Sequence, residues 1–195
     1  GYDSYESARR HAREEKQTGS RLFLASAAKA AAVQPLQAHV AQGIANLEAT
    51  FLGISDSQVD SVTKAMLQAR KVWVIGFRAS QPFATYLQWQ LTQVMENIVA
   101  IPGPGQTLGE HLASFTPQDV VIVFGLRRRV ARIHLLLDEI QRSGARLLYI
   151  TDEGVPFQTG ASWHFRCQSL APGPLFNHVP VMAVCHLLAT RATEH

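Results

Sequence analysis

The stretch Asp119–Arg132, which reads DVVIVFGLRRRVAR, decides how the rest of the chain is interpreted. An apolar run, Val120–Phe124, leads into Gly125, and three arginines follow at Arg127–Arg129. Apolar residues then recur at helical spacing, so the stretch predicts a strand, a tight turn and a helix. The arginines are thereby placed at the turn and in the first turn of the helix.

Three cations at a helix start are locally unfavourable, because a helix N-terminus carries partial positive charge and prefers acidic residues. Two explanations are open. An anionic ligand or partner can offset the charge, since helix N-termini bind phosphate and carboxylate groups. Alternatively, the arginines form a surface cluster that water screens. The end of this strand is therefore a candidate anion site.

The composition favours a folded domain. Of the 195 residues, 47% are hydrophobic, which is enough for a sizeable core. The net charge of +3 permits nucleic-acid contact without arguing for it. The two cysteines, Cys167 and Cys185, lack metal-ligand spacing and are typical of packed thiols in a reducing compartment. No apolar run approaches the roughly 18–20 residues that span a bilayer, and no secretory signal is visible. We expect a cytoplasmic protein without membrane contact.

The first third of the chain predicts helices only. Gly1–Gly19 is polar and charged, which suits a short helix or a linker. Arg21–Val33 is rich in alanine, the best helix former, and predicts a second short helix. Pro35–Gly53 carries apolar residues every three to four positions and predicts a longer helix. Potential N-caps within Ser55–Ser57 start the next helix, which ends near Ala69.

From residue 71 onward, strands alternate with helices. The predicted strands are Lys71–Ile75, Asn97–Ile101, Asp119–Phe124, Ala145–Thr151 and Ser162–Cys167. The predicted helices cover Ser80–Val94, Thr107–Phe115, Val130–Ser143 and a last segment that begins at Pro172–Pro174. Several strands are near-continuous apolar runs, as strands buried on both faces should be. The pattern predicts an α/β fold in three layers, with a parallel five-stranded sheet, helices on both faces, and further helices before it. Ligands of such sheets bind at the carboxyl ends of the strands, near a switch in strand order.

The turn after the first strand reads GFRAS, residues Gly76–Ser80, between KVWVI and Ala84. It resembles the G-x-G-x-S-x-x-x-A opening of sugar isomerase (SIS) domains. The leading helices, the spacing to DVVIVFG and the later ARLLYITD extend the resemblance over about residues 36–193. The N-terminal GYDSYESARRHAREE is similar to the connecting helix of RpiR-type transcription regulators. In that family a helix-turn-helix domain precedes a SIS domain that senses a sugar phosphate.

The resemblance implies two segments. Residues 1–35 are expected to be connecting helices, the remnant of a linker from a DNA-binding domain. Residues 36–195 are expected to form a flavodoxin-like SIS effector-binding domain. Because the chain starts at Gly1, we expect the DNA reader to be missing, and DNA contact only through that missing domain. SIS relatives also imply a homodimer or higher homo-oligomer, for which the apolar stripe of Leu36–Phe51 is suitable, although a monomer core would use it equally.

The first loop matches the family motif in part. Gly76 stands at the first glycine position and Ser80 at the serine, while Arg78 replaces the second glycine. Ser80 has a simpler interpretation too, since a serine before a helix is a common N-cap. The adjacent Phe77 and Gln81 complete this part of the candidate site.

The second loop departs further from the motif. In the family it usually reads S-x-S-G-x-T, whose hydroxyls and amides cradle the phosphate. Here Gly125 and Arg127 stand at the serine positions, Arg128 at the glycine and Val130 at the threonine. Arginines thus replace the hydroxyl cradle. Guanidinium groups still grip phosphate or carboxylate with two parallel hydrogen bonds.

We therefore predict a site for a small anionic effector, a phosphorylated sugar or a similar carboxylate, whose signal passes to the missing domain. The predicted effector-binding residues are Gly76, Phe77, Arg78, Ser80, Gln81, Gly125, Arg127, Arg128 and His178. No cofactor and no catalytic residue is predicted. No metal is expected either, because Asp152 and Glu153 lack a second acidic cluster and neither cysteine has a histidine at ligand spacing. Asp152 suits a turn or capping role.

Two alternatives remain open. A SIS-type sugar-phosphate isomerase or etherase needs a placed base, for which Glu110, His111 and His178 are the candidates. A lone histidine is more often structural, so catalysis is not predicted. The second alternative is a dimerisation module that binds nothing small, with an arginine side chain filling the site. Direct DNA binding by this chain is disfavoured, because the arginines are few and local.

Overall fold

The structure, a computed structural model, describes residues 36–127, 130, 132–171 and 175–195. The two short helices predicted within residues 1–35 and the predicted role of Arg128 fall outside the described residues. The same holds for the predicted start of the last helix at Pro172–Pro174.

Two compact units divide the chain. The larger contains residues 45–169 and 178–195, and the whole sheet belongs to it. The smaller contains residues 1–44 and 170–177, and its described part includes the first half of the first helix. Every described residue of the candidate site belongs to the larger unit.

Helices and strands alternate after two leading helices. The described helices are α1 (Leu36–Leu52), α2 (Asp56–Gln68), α3 (Gln81–Leu91), α4 (Gly109–Leu112), α5 (Ile133–Ser143) and α6 (Val179–Thr193). The strands are β1 (Val72–Gly76), β2 (Ile98–Ile101), β3 (Val120–Gly125), β4 (Arg146–Asp152) and β5 (Trp163–Cys167). A 3₁₀ turn, Arg78–Ser80, joins β1 to α3. Ser55 caps α2 in a reciprocal arrangement with Gln58, as the sequence suggested for this boundary.

The five strands form one parallel sheet in the order β2-β1-β3-β4-β5. The predicted α/β fold with a parallel five-stranded sheet is therefore confirmed. The order reverses direction between β1 and β3, which is the switch point where such sheets bind ligands. The register pairs Gly76 with Phe124 and Gly125 with Thr151, so β1, β3 and β4 end side by side.

Alternate residues of each strand face opposite sides of the sheet and build two cores. On one side, Val74 and Ile122 pack in a buried cluster with side chains of α2, α3 and α6. On the other side, Ile75 and Val123 belong to a second cluster that includes the apolar face of α5. Three layers with helices on both faces follow, as predicted.

Four helices differ from the sequence prediction by three or more residues at one end. Helix α3 ends at Leu91 instead of Val94. Helix α5 begins at Ile133 instead of Val130, and Arg127 lies in the loop before the helix. This keeps its charge off the positive end of the helix dipole. Helix α4 has only four residues, and Thr107 does not cap it, because the Thr107 hydroxyl donates to Glu110 Oε1 at 2.9 Å. The last helix begins at Val179, with a proline in its first turn.

The two cysteines are both buried and free. Burial raises the pKa of the Cys167 thiol to about 12, and burial also raises that of Cys185. Both thiols therefore pack as apolar side chains, as the sequence predicted. Across the part of the chain that the structure describes, no helix has the length and apolar character needed to cross a membrane.

Candidate functional site

The end of β1 runs directly into the 3₁₀ turn, and this connection needs a glycine. A Cβ atom added at Gly76 would lie 2.4 Å from the backbone oxygen of Ser80. Backbone atoms would have to move to admit any side chain there. Gly76 thus lets the chain fold back against the end of the strand.

Arg78 is the only non-glycine residue with a left-handed backbone among the described residues, with φ at 53°. The SIS motif has glycine at this position, and the structure gives the reason, since the left-handed region is strained for residues with a side chain. The Arg78 side chain is exposed and makes no ion pair or hydrogen bond with another described residue. A strained backbone that presents a cation is a candidate for function.

Ser80 links the two loops across the switch point. It stands at the N-cap position of α3, yet its side chain makes no capping hydrogen bond. Its buried hydroxyl accepts a hydrogen bond from the Leu126 amide at 3.3 Å, so it ties the turn after β1 to the loop after β3. Phe77 is partly buried against the core on the α5 side. The simple capping role is therefore wrong for the Ser80 side chain.

The second loop leaves no room for the serine that the family has at its start. A Cβ atom at Gly125 would lie 2.3 Å from Tyr149 Oη. Tyr149 is buried and stacks on the ring of His164, with centroids 5.1 Å apart. The tyrosine hydroxyl thus occupies the place where a serine side chain would begin.

Arg127, the next residue of interest, is paired within the chain. Its Nη2 donates to Glu153 Oε1 at 2.9 Å, and its Nε lies 3.8 Å from Asp152 Oδ1. Glu153 Oε2 accepts in turn from the amide and the hydroxyl of Ser169, at 3.0 and 2.9 Å. The Arg166 guanidinium donates to the backbone oxygen of Glu153. We call these five residues, Arg127, Asp152, Glu153, Arg166 and Ser169, the charged network.

The electrostatics of the charged network keep Glu153 ionised. Burial acts to raise the pKa of Glu153, but a hydrogen bond from its own backbone and those from Ser169 and Arg127 outweigh it and hold the pKa below its usual value. Asp152 Oδ1 also accepts from the Gly154 amide at 3.1 Å, in keeping with the predicted turn role.

His178 stands beside the charged network, at the N-cap position of α6. Its ring meets Phe83 edge-on, with centroids 5.4 Å apart. Burial lowers the pKa of His178 more than the nearby charges of Asp152 and Glu153 raise it. The histidine is therefore neutral at pH 7.

A groove opens on the other side of the switch point, between α3 and the end of the edge strand β2. Its volume is about 410 Å³. It is lined by Gly76, Gln81, Ala84, Thr85, Gln88, Ala100, Ile101, Pro102, Gly103 and Pro104. None of these residues is charged. Of the predicted site residues, only Gly76 and Gln81 line the groove.

The sequence prediction missed the α3 and β2 residues of this groove. A signal was present: positions 81, 84, 85 and 88 share one face of a helix, and a Pro-Gly-Pro-Gly loop follows the next strand. Without the sheet order, nothing indicated that these two features meet.

The other candidate base residues, Glu110 and His111, are not among the residues that line the groove. Glu110 is engaged with Thr107, as described above, and His111 lies 3.1 Å from Gln106 Oε1, its ring near that of Trp73. Among the described residues, no group of three or more His, Cys, Asp or Glu side chains could hold a metal ion.

The predicted site residues thus fall into three places. Gly76 and Gln81 line the groove; Phe77, Arg78 and Ser80 form the turn between the two loops; Gly125, Arg127 and His178 lie at or beside the charged network; and Arg128 is outside the described residues. The structure brings the two loops together at the switch point. The neutral groove lies on the β1–β2 side of it and the charged network on the β3–β4 side.

This parallel sheet with two glycine-dependent loops at its switch point is the arrangement of a SIS domain. The SIS domain family model matches residues 65–191, and the chain belongs to this family. No curated protein sequence matches the chain significantly.

Solved structures with the same fold include regulators and enzymes. The sugar isomerase domain of an RpiR transcription factor from Sphaerobacter thermophilus is 22% identical, with a TM-score of 0.72 over 82% of this chain and 89% of that chain. The NanR protein of Vibrio vulnificus, complexed with ManNAc-6P, is 13% identical, with a TM-score of 0.69 over 100% and 70%. Phosphoheptose isomerase GmhA from Neisseria gonorrhoeae is 12% identical, with a TM-score of 0.67 over 82% and 97%. At these identities the likeness shows the fold alone.

Proposed function

We propose that this chain is the effector-binding domain of a transcription regulator, and that it binds a small anionic carbohydrate derivative, such as a phosphorylated sugar, without converting it. One observation carries the proposal. Arg78, an exposed cation in a strained conformation, stands between Gly76 and Gln81, two residues that line the groove. The names of two fold neighbours, an RpiR transcription factor and NanR complexed with ManNAc-6P, support the class of ligand and the regulatory role.

Arg78 is the better candidate for the anion than Arg127. The charge of Arg127 is already balanced by Glu153 and Asp152, so an anion there would have to displace a carboxylate. Arg78 has no such competitor among the described residues. Its guanidinium can offer two parallel donors to a phosphate or carboxylate.

The groove favours binding over catalysis. Aldose–ketose isomerisation requires a general base within hydrogen-bond reach of the substrate carbon acid or hydroxyl. No described lining residue of the groove is an Asp, Glu, His or Lys. The chemistry available there is hydrogen bonding by amides, a hydroxyl and the backbone.

The test is calorimetric titration with phosphorylated sugars and small carboxylates. We expect Arg78→Gly to weaken binding by about tenfold or more, because a hydrogen bond to a charged group contributes about 1.5–3 kcal/mol. Arg127→Met should weaken binding much less. Equal affinity in the wild type and Arg78→Gly would remove Arg78 from the site. Loss in Arg127→Met alone would place the anion on the second loop.

A second candidate function is a SIS module that binds nothing small. The pairing of Arg127 with Glu153 favours this non-binding module. Arg127 stands at a position where the family motif has a phosphate-binding serine, and its guanidinium is already engaged by Glu153. A thermal scan separates the two: a phosphorylated sugar that raises Tm in the wild type but not in Arg78→Gly supports sensing. No change in Tm with any such ligand supports the non-binding module.

An isomerase is the third candidate, since one fold neighbour is phosphoheptose isomerase. Interconversion of ketose and aldose phosphates by the wild type, abolished by Glu110→Gln or His178→Ala, would establish it and overturn the non-catalytic proposal. We expect no turnover above that of a heat-treated sample.

Pairing of two copies is part of the proposed function. Helix α1 exposes Leu36, Val40 and Ile44, which share one stripe, with 74%, 50% and 51% of each residue accessible. Such a stripe suits a helix of a second copy. Sedimentation should show a dimer that Val40→Asp dissociates. DNA contact is proposed only for a separate helix-turn-helix domain, so this chain alone should not shift DNA in a gel.

A further inference from the structure

The groove between α3 and β2 has a size that selects among ligands. Its volume of about 410 Å³ lies near the lower end of the range of about 300–1,000 Å³ that small-molecule sites occupy. That volume suits one sugar ring or a linear polyol.

Two carboxamides give the groove fixed hydrogen-bonding groups. Gln88 Oε1 accepts from the Ala100 amide at 2.8 Å, which holds the side chain against the edge strand. Among the described residues Gln88 Nε2 has no hydrogen-bond partner, so both of its donor hydrogens are open to a ligand. Gln81 Nε2 donates to Thr85 Oγ1 at 2.9 Å, so the Gln81 Oε1 acceptor and one further N–H remain. The groove therefore offers donors and an acceptor that are already oriented.

The remaining walls are apolar. Aliphatic surface beside these amides comes from Ala84, Ala100, Ile101, Pro102 and Pro104. Carbohydrates combine hydroxyl groups at the ring edge with C–H groups on the ring faces, so an amide and aliphatic wall complement both. A charged ligand group would be desolvated here without a counter-charge from any described lining residue, which is costly.

We propose that this groove binds an uncharged carbohydrate or polyol, which it recognises through hydroxyl groups and without a phosphate or carboxylate. This goes beyond the proposed function, because an anion on Arg78 is not needed for it. The two sites adjoin through Gly76 and Gln81 but rest on different chemistry, charge at Arg78 and neutral hydrogen bonding in the groove.

The experiment uses glucose, N-acetylglucosamine and mannitol as probes. NMR follows the methyl resonances of Ala84, Ala100 and Ile101 during each titration. We expect saturable shifts with at least one probe, with a Kd on the order of 1 mM for so small a ligand.

A matched pair of variants tests the location. Thr85 lines the groove and Thr92 does not, although both are exposed threonines of the α3 region whose hydroxyls donate to the carbonyl four residues earlier. Thr85→Phe fills the groove and should weaken binding by about tenfold or more, whereas Thr92→Phe should not. If Thr85→Phe does not fold, Gln81→Ala takes its place, with the same expected direction.

Each outcome decides the proposal. Absence of saturable shifts with all three probes overturns it, as does equal affinity in Thr85→Phe and Thr92→Phe. If only the phosphorylated forms of the sugars bind, and Arg78→Gly abolishes that binding, the groove proposal fails while the proposed anionic effector stands. If the neutral probes bind and phosphorylation adds no affinity, the groove proposal stands and the anion proposal fails.

Discussion

The carboxyl edge of the sheet is open on one side and filled by side chains on the other. On the β1–β2 side the chain leaves a neutral groove, with amides held but not saturated. On the β3–β4 side its own side chains fill the edge: Tyr149 closes over Gly125, and Arg127 pairs with Glu153. The difference teaches that an arginine at a position where the family motif has serine need not present an unbalanced charge, because Arg127 is paired with Glu153 within the chain.

The largest expected effect concerns the glycines, one on each side. Gly125→Ala would press a methyl group against buried Tyr149, and Gly76→Ala would press one against the Ser80 backbone. We expect each to lower the free energy of unfolding by about 3 kcal/mol, since overpacking typically costs about 1–3 kcal/mol and these approaches are unusually short. Urea denaturation measures both.

Gly109→Ala is the control for these two variants, because the nearest atom to its added Cβ is 4.0 Å away. It should be neutral or slightly stabilising, as alanine favours helix. A loss below about 1 kcal/mol for Gly125→Ala, with Gly76→Ala still damaging, would mean that Tyr149 can withdraw. The filled side of the comparison would then be adaptable rather than fixed.

The next effect is a pH dependence confined to the filled side. His164 is buried, its Nδ1 accepts from the Gln158 amide at 3.1 Å, and its Nε2 lies 2.8 Å from Thr151 Oγ1. Because Nδ1 accepts, the Nε2–H donates to the Thr151 hydroxyl, which donates to the backbone oxygen of Asp152. The folded state thus holds a neutral imidazole, and burial lowers the pKa of His164 to about 4, from 6.5.

The sign follows from linkage. Between pH 6.5 and about 4, His164 is protonated in the unfolded chain but stays neutral in the folded chain. Its contribution to the free energy of unfolding is therefore fully present above pH 6.5 and is lost as the pH falls towards 4. We expect a loss of about 2–3 kcal/mol over this range, which His164→Gln should largely abolish. Carboxylates such as Glu153 titrate in both proteins, so the difference between the two pH profiles is the measurement. An unchanged pH profile of stability in His164→Gln would contradict the assignment of this effect to His164.

No described lining residue of the groove titrates between pH 4 and 6.5, so binding of a neutral ligand should not depend on pH in this range.

Sequence patterns predicted the sheet, because strands buried on both faces appear as apolar runs, and they indicated its carboxyl edge as the candidate site, because parallel strands end together. They could not predict how the edge is divided. Arg127 was expected in a helix start facing an anion, but its partner Glu153 lies 26 positions later and meets it only through the pairing of β3 with β4. The groove was missed for the same reason, since Gln88 and Ala100 become neighbours through the position of β2 at the sheet edge. Long-range side-chain pairing is not a property of a local pattern.

A smaller effect tests whether the filled side can be reopened. Glu153→Gln removes the nearer of the two carboxylates that balance Arg127 and keeps the shape of the side chain. We expect a loss of stability of about 1 kcal/mol, because the ion pair is partly exposed, together with severalfold tighter binding of inorganic phosphate by calorimetry. The control is Glu139→Gln, which breaks the exposed pair with Arg142 on α5 and should leave phosphate binding unchanged. If phosphate binding does not improve in Glu153→Gln, the ion pair is not what closes this side to anions.

The smallest effect isolates the backbone strain on the open side. At Arg78 the left-handed conformation costs about 1 kcal/mol for a residue with a side chain, and glycine escapes that cost but has more freedom to lose on folding. We therefore expect Arg78→Gly to raise the free energy of unfolding by about 0.5 kcal/mol. Arg78→Ala removes the same charge and keeps the strain, so it should not stabilise. A gain in Arg78→Gly alone, together with lost anion binding in both variants, would show that this chain retains a strained arginine because the ligand needs its charge. A gain in both would assign the effect to charge repulsion and leave the backbone without a role.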